Sequence, residues 1–422
     1  MRKGLLLGAG FSMELGMPSA HEFSRALYNF LTPNKLRIFV DKLKQQEPYG
    51  SENPTCKNEY ENIYKTIIEY REKKNFSYEL LLSEIRDKYS INSAARRARD
   101  HINGLLMSII DEMFRIFHAN TYPIYKLNKE NYRFLLSDFC DNETWIFSLN
   151  HDIIIEMLCI DLGISLCMGS EEILTFPFDN YIIGKSKMIR FGKIKNNEKN
   201  LDSLNFARNC KGVNLIKLHG GMNEFTHDDE KLRLFLMYND YKNSEDYLNE
   251  LLSLTRASHY YYNGSPVKSA YEIILADHNG LMQFLIPSIL SGTKKYSSAT
   301  YDGKGEPKMA QLSMGIERMD ELYIIGYGFG DEHINNRIVR AMHLNSSMKI
   351  WVIDPYNPRP VPLNSFDYDM RLNSMYAKTT QAIHYLKNET WHTSDEAKLL
   401  DSAWIERTKI YEHLFNVEFM RN

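Results

Sequence analysis

Apolar residues follow two rhythms along the chain: short unbroken runs that end in glycine or a polar turn, and longer stretches that repeat every three to four positions. Leu5, Leu6 and Leu7 form the first run and enter Gly8-Ala9-Gly10, which reads as a buried strand closing in a tight turn. A helix is predicted next, because Ser19 and Glu22 have the spacing of a capping box and Phe23, Leu27, Phe30 and Leu31 repeat at helical intervals. Further buried-strand runs lie at 145–149, 213–218, 321–325 and 349–353. Helices are predicted around 153–159 and from Glu332. Apolar strands separated by helices predict an α/β fold with a mostly parallel sheet.

The rhythm also divides the chain. Residues 1–31 and 141–360 read as one discontinuous core with polar loop inserts at about 160–212 and 221–310. Residues 32–140 are rich in Lys, Glu, Asn and Tyr, with helical periodicity at 78–85 and 102–117 and no clear strand, so a helical insertion is expected. Its Arg96, Arg97 and Arg99 read as a solvated helix face. Residues 361–422 read as a mainly helical segment. Tyr260, Tyr261 and Tyr262, before Asn263 and Gly264, read as a buried or interface loop. The apolar spacing at 282–290 and 309–319 suits core or subunit contacts.

Composition narrows the classes. The 422 residues carry 51 Lys and Arg against 54 Asp and Glu, a net charge of −3, so direct nucleic-acid binding is not expected. Five scattered cysteines form no disulfide framework and no C-x-x-C zinc pair, and no metal is expected. The apolar stretch after Met1-Arg2-Lys3 is too short for a signal segment. No run approaches the roughly 20 residues needed to span a bilayer. A cytoplasmic protein with no membrane association is the expectation.

In a parallel α/β sheet, ligands bind at the carboxyl ends of the strands near a switch point. Polar residues and glycines gather there: Gly8, Ala9, Gly10 and Ser12 after the first strand, Asn150 and Asp152 after the second, His219 and Gly220 after the third. Gly326, Gly328 and Asp331 follow another, and Asp354 closes the last. Glycines let backbone approach a pyrophosphate, with free amides as donors. The dehydrogenase pattern G-x-G-x-x-G is incomplete, because Met13 holds the third glycine position.

These residues carry a resemblance. Gly8-Ala9-Gly10-Phe11-Ser12 with Gly16-Met17-Pro18-Ser19 resembles the sirtuin signature G-A-G-x-S-x-x-x-G-I-P. Ser148-Leu149-Asn150-His151-Asp152 is similar to the T-x-N-Y-D element of the bacterial sirtuin-like branch, and Lys217-Leu218-His219-Gly220-Gly221 to its K-x-H-G-S element. The run 325–331 with Ile334 and Asn335 resembles G-Y-S-F-x-D-x-x-I-N. The order is the family's. His151, Gly221 and Gly328 depart from the pattern, and the four-cysteine zinc ribbon of the protein deacetylases has no counterpart.

The resemblance implies a Rossmann-like core and a Sir2-type NAD hydrolase of antiphage defence, with NAD as substrate and no metal. It implies cleavage to nicotinamide and ADP-ribose, gated by homo-oligomer assembly or by a partner such as a HerA-like ATPase. His219 is then the base or ribose partner, Asn150 orients water or ribose hydroxyls, and Asp152 balances charge or caps the next helix. Gly8, Ala9, Gly10, Phe11, Ser12, Gly16, Pro18 and Ser148 hold the nucleotide, with Gly326, Gly328, Asp331 and Asp354 on the adenosine side. The alternatives are a non-catalytic NAD or ADP-ribose sensor and a protein ADP-ribosyltransferase or deacylase.

Overall fold

The computed structural model describes residues 2–46, 57–73, 76–89, 92–180, 185–257, 260–262, 265–267, 273–288 and 306–415. Seven strands form one sheet: β1 (Lys3–Leu7), β2 (Glu143–Ser148), β3 (Leu166–Cys167), β6 (Gly212–Lys217), β13 (Glu321–Ile325), β14 (Lys349–Ile353) and β15 (Leu372–Met375). Their order is β15-β14-β13-β1-β2-β6-β3, and every neighbouring pair is parallel. Numbered along the chain without β3, the order is 3-2-1-4-5-6, that of the doubly wound Rossmann sheet, with β3 added at one edge. The order reverses at β1, so the switch-point crevice opens beyond its carboxyl end, between β2 and β13. Leu5, Leu6 and Leu7 are fully buried. Both faces of β1 are covered, which explains an unbroken apolar run where a half-exposed strand would alternate.

The expected polar loop inserts are corrected by the structure. A second sheet contains β4 (Glu172–Asn180), β5 (Lys185–Lys195), β7 (Glu224–His227), β8 (Leu232–Leu236), β11 (Ile273–Ala276) and β12 (Met282–Pro287), in the order β11-β12-β7-β8-β5-β4, every pair antiparallel. Its edges β4 and β11 lie against each other, so the sheet curls toward closure around Phe176, Phe191 and Phe225. These strands alternate: in β5, Ile189 and Phe191 are buried while Met188 between Lys187 and Ile189 is exposed. Lys185, Lys187, Lys193 and Lys195 of β5 gave the segment a loop-like composition. A hairpin of β9 (Tyr260–Tyr262) and β10 (Ser265–Val267) replaces the expected aromatic loop, and its connecting residues Asn263 and Gly264 lie outside the described residues.

The described part of the 32–140 insertion is helical: Pro33–Gln46, Lys57–Arg71, Tyr78–Lys88 and the 36-residue helix Ser93–Asn128, then a short turn and Arg133–Ser137. Of the three arginines expected on a solvated face, Arg96 is exposed while Arg97 and Arg99 are half-buried. Residues 361–422 are corrected in one respect. They include β15, which completes the core sheet, before the helices Thr379–Asn388 and Ser394–Phe415. Leu372-Asn373-Ser374-Met375 has two polar residues in four, so no apolar run betrays the strand. Among the described residues, no helix is long and apolar enough to cross a membrane.

Candidate functional site

The glycine turn after β1 packs directly on the glycine turn after β13. A Cβ on Gly8 would lie 2.4 Å from Gly326 O, and one on Gly10 would lie 2.6 Å from Gly326 Cα. Gly326 itself has φ +61°. The Gly8 amide donates to Ile325 O (3.0 Å) and the Gly10 amide to Gly326 O (2.9 Å). This corrects the expectation that both amides are free for a pyrophosphate: here the glycines join two loops. Ala9 opens the short helix Ala9–Met13. Phe11 turns its ring into the core, edge-on to Tyr132 at 5.2 Å. Gly16 has φ +105°, and a Cβ there would meet the Thr121 side chain at 2.5 Å. Pro18 is buried beside it.

Asn150 follows β2 and reaches this turn. Its Nδ2 donates to Gly8 O (2.9 Å) and to Ser12 Oγ (3.0 Å), while its amide donates to Ser148 Oγ (3.2 Å). Both amide hydrogens are committed, leaving Oδ1 as the group that can accept from a ligand. The Ser12 hydroxyl also bonds Asp152. Asn150, Ser12 and Asp152 therefore form one hydrogen-bonded chain. Asp152 Oδ1 accepts from Ile154 N (3.1 Å), the first residue of the helix Ile154–Leu162, from the position before its N-cap Ile153. Burial pushes its carboxyl up to about 6, against the pull of the Lys217 cation.

His219 follows β6, the neighbour of β2. Its Nε2 lies 3.3 Å from Asp331 Oδ2, and its ring centroid is 6.0 Å from that of His151. Asp331 caps the helix Glu332–Leu344 through Oδ1, which accepts from His333 N (3.0 Å) and Ile334 N (3.4 Å). Its other oxygen faces His219. His151 lies on the same side of the sheet. Gly220, at φ +72°, packs so closely on Ser288 that a Cβ would lie 1.4 Å from Ser288 O. A Cβ on Gly221 would meet the end of the Lys217 side chain, with Nζ at 2.5 Å. Gly328 faces open space. Between it and Gly330, Phe329 holds φ +55°, its carbonyl accepting from Asn335 Nδ2 (2.9 Å).

Asp354 follows β14, whose last residue Ile353 accepts from the Gly326 amide (3.0 Å). Its Oδ1 accepts from Tyr356 N (2.8 Å) and Asn357 N (2.7 Å), so it builds the turn after β14. The structure thus brings Ser12, Ser148, Asn150, Asp152, His219, Gly326 and Asp331 together, and it assigns Phe11 to the core and Asp354 to a turn.

A buried layer beneath the site was not read from the sequence. Lys217 Nζ donates to Asp152 O and pairs with Glu156 Oε1 at 3.1 Å, both side chains 1% exposed. Asn223 joins Glu156 (3.0 Å) to Tyr247 OH (2.9 Å). From the insertion, Phe114 meets the His151 ring at 5.8 Å, and His118 Nε2 accepts from Ile153 N (3.3 Å). Burial, with the nearby Lys217 and Arg115 cations, drives His118 down to about 3, so it stays neutral. One signal was available: His118 continues the apolar stripe of Ile110, Phe114 and Phe117. Its partner, 35 residues away, was not readable.

No protein-family model matches the chain, and no curated protein is matched by it.

Proposed function

We propose that the chain is an NAD glycohydrolase, cleaving NAD to nicotinamide and ADP-ribose. The reading rests on one observation: Asn150 is bonded to the Gly8–Ser12 turn while His219, on the adjacent strand end, faces Asp331 from the other half of the sheet. A dinucleotide lying across the switch point would meet all three loops. In hydrolysis, the C–N bond between the nicotinamide and ribose breaks, and its electron pair leaves on the ring nitrogen. A water oxygen bonds to the anomeric carbon and gives up one proton. Asn150 Oδ1 can accept from that water or from a ribose hydroxyl, and the His219 imidazole can take the proton. Ionised Asp152 opposes the positive charge that develops on the ribose. The ordered resemblance to bacterial sirtuin-like proteins extends the proposal to an antiphage effector, activated by self-assembly or by a partner ATPase.

One observation favours a second reading, a sensor that binds NAD without cleaving it: both Asn150 amide hydrogens are committed within the protein. A time course of NAD loss with product identification separates the two. Nicotinamide and ADP-ribose should appear together with wild type and fall by about 100-fold or more in Asn150→Ala and His219→Ala. NAD loss that survives both substitutions would refute the hydrolase, and saturable binding without turnover would establish the sensor.

A further inference from the structure

The helices Thr379–Asn388 and Ser394–Phe415 grip the turn that carries the site. Thr379 Oγ1 donates to Gly10 O (3.2 Å). Thr380 donates to Glu14 through its amide (2.9 Å) and its hydroxyl (2.8 Å). Further along, Arg407 donates to Met17 O through Nε (3.2 Å) and Nη2 (2.8 Å), and it spans both oxygens of Glu22. The Tyr411 hydroxyl donates to Gly16 O. Arg407 and Tyr411 are each 1% exposed, and Tyr411 packs edge-on against Phe117 at 4.9 Å. Glu22 also accepts from Ser19 N (2.7 Å), so one carboxylate joins the capping box of the helix Ala20–Phe30 to the C-terminal helix.

These bonds reach the chemistry in two steps. Met17 N and Leu15 N both donate to Ser12 O, at 3.1 and 3.0 Å. The Ser12 hydroxyl joins Asn150 to Asp152. Gly16 sits between Thr121 of the long helix and Tyr411 of the C-terminal helix, in a backbone conformation that other residues rarely adopt. A displacement of Arg407 would release Met17 O, and Met17 is one hydrogen bond from Ser12.

We infer that Arg407 and Tyr411 are positioning residues of the site: the docked C-terminal helix fixes the 16–19 turn, and through Met17 it fixes Ser12. This rests on the NAD reading above. It also makes the helix Ser394–Phe415 a route by which binding elsewhere could loosen or tighten the hold on the dinucleotide.

The test uses full-length Tyr411→Phe, which deletes only the hydroxyl, with Arg407→Ala and Arg407→Lys. Three quantities are measured: deuterium exchange over 16–19, the thermal midpoint, and kcat and KM for NAD. Tyr411→Phe should speed exchange over 16–19 and raise KM by about two- to tenfold, the worth of one hydrogen bond, with kcat changed by less than about twofold. Arg407→Ala should raise KM further, and Arg407→Lys should restore part of it. A lowered midpoint with unchanged KM would show a purely structural role and overturn the inference. So would unchanged exchange in Tyr411→Phe. Wild type that neither binds nor cleaves NAD would instead refute the NAD reading, and the exchange data would still decide whether the helix holds the turn.

Discussion

His118 offers a test of the buried layer that is independent of any substrate. The imidazole is 2% exposed, accepts from Ile153 N, and lies near the Lys217 and Arg115 cations. Its ordinary value of 6.5 falls to about 3 in the folded chain. A base depressed on folding stabilises the fold above its unfolded value, and that stability is lost as the pH falls, because only the unfolded chain takes up the proton. At about 1.4 kcal/mol per unit, the loss is about 2 kcal/mol between pH 7.5 and 5 and about 4 kcal/mol by pH 3. Other buried groups titrate over the same range, so the comparison is with His118→Gln, which keeps a neutral acceptor and does not titrate. Urea unfolding followed by tryptophan fluorescence at pH 7.5, 6.25 and 5 gives the difference in stability between the two proteins. Wild type should lose about 2 kcal/mol relative to the variant over that range. A difference that stays constant would mean that His118 is protonated or hydrated in the fold, and that it does not anchor the Asn150–Asp152 loop as a neutral acceptor.

Asp152 works in the opposite sense. With its carboxyl raised to about 6, NAD cleavage should fall as the pH drops through that value, and Asp152→Asn should give low activity without that acid limb. Because burial disfavours the ionised form, this group costs wild type most above pH 6, so the stability of Asp152→Asn relative to wild type should rise from pH 4 to pH 7, by about 2 kcal/mol. Lys217→Met leaves Glu156 buried without its cation and should cost about 3–5 kcal/mol in chemical denaturation. Gly326→Ala forces a Cβ into the Gly10 backbone at positive φ and should destabilise by more than about 1 kcal/mol, whereas Gly328→Ala, in open space, should stay within about 0.5 kcal/mol. Equal unfolding midpoints for the two glycine variants would contradict the turn-on-turn packing.

The core strands were legible because burial on both faces demands unbroken apolar runs: β13 and β14 begin and end where the runs 321–325 and 349–353 do. The capping box at Ser19 and Glu22 forms with both of its bonds. The second sheet was obscured because β5 carries four lysines among its apolar residues and β4 and β7 are interrupted by polar ones, and β15 because a four-residue edge strand tolerates two polar side chains. At the site, the strand-end residues could be read because they follow apolar runs directly. Their support could not: Lys217 to Glu156 spans 61 residues and Arg407 to Glu22 spans 385, and no local pattern records such pairs. The glycines of the first turn were legible as glycines, but their task was not. Whether a Cβ is excluded by a ligand or by Gly326 depends on a loop more than 300 positions away.

The most direct measurement is a crystal structure of the protein with ADP-ribose, the product that would remain after nicotinamide leaves. The distal ribose should lie within hydrogen-bond reach of Asn150 Oδ1 and beside the His219 ring, with the diphosphate over the Gly8–Ser12 turn. ADP-ribose bound away from the carboxyl ends of β1, β2 and β6, or absent at saturating concentration, would contradict a dinucleotide site at this switch point.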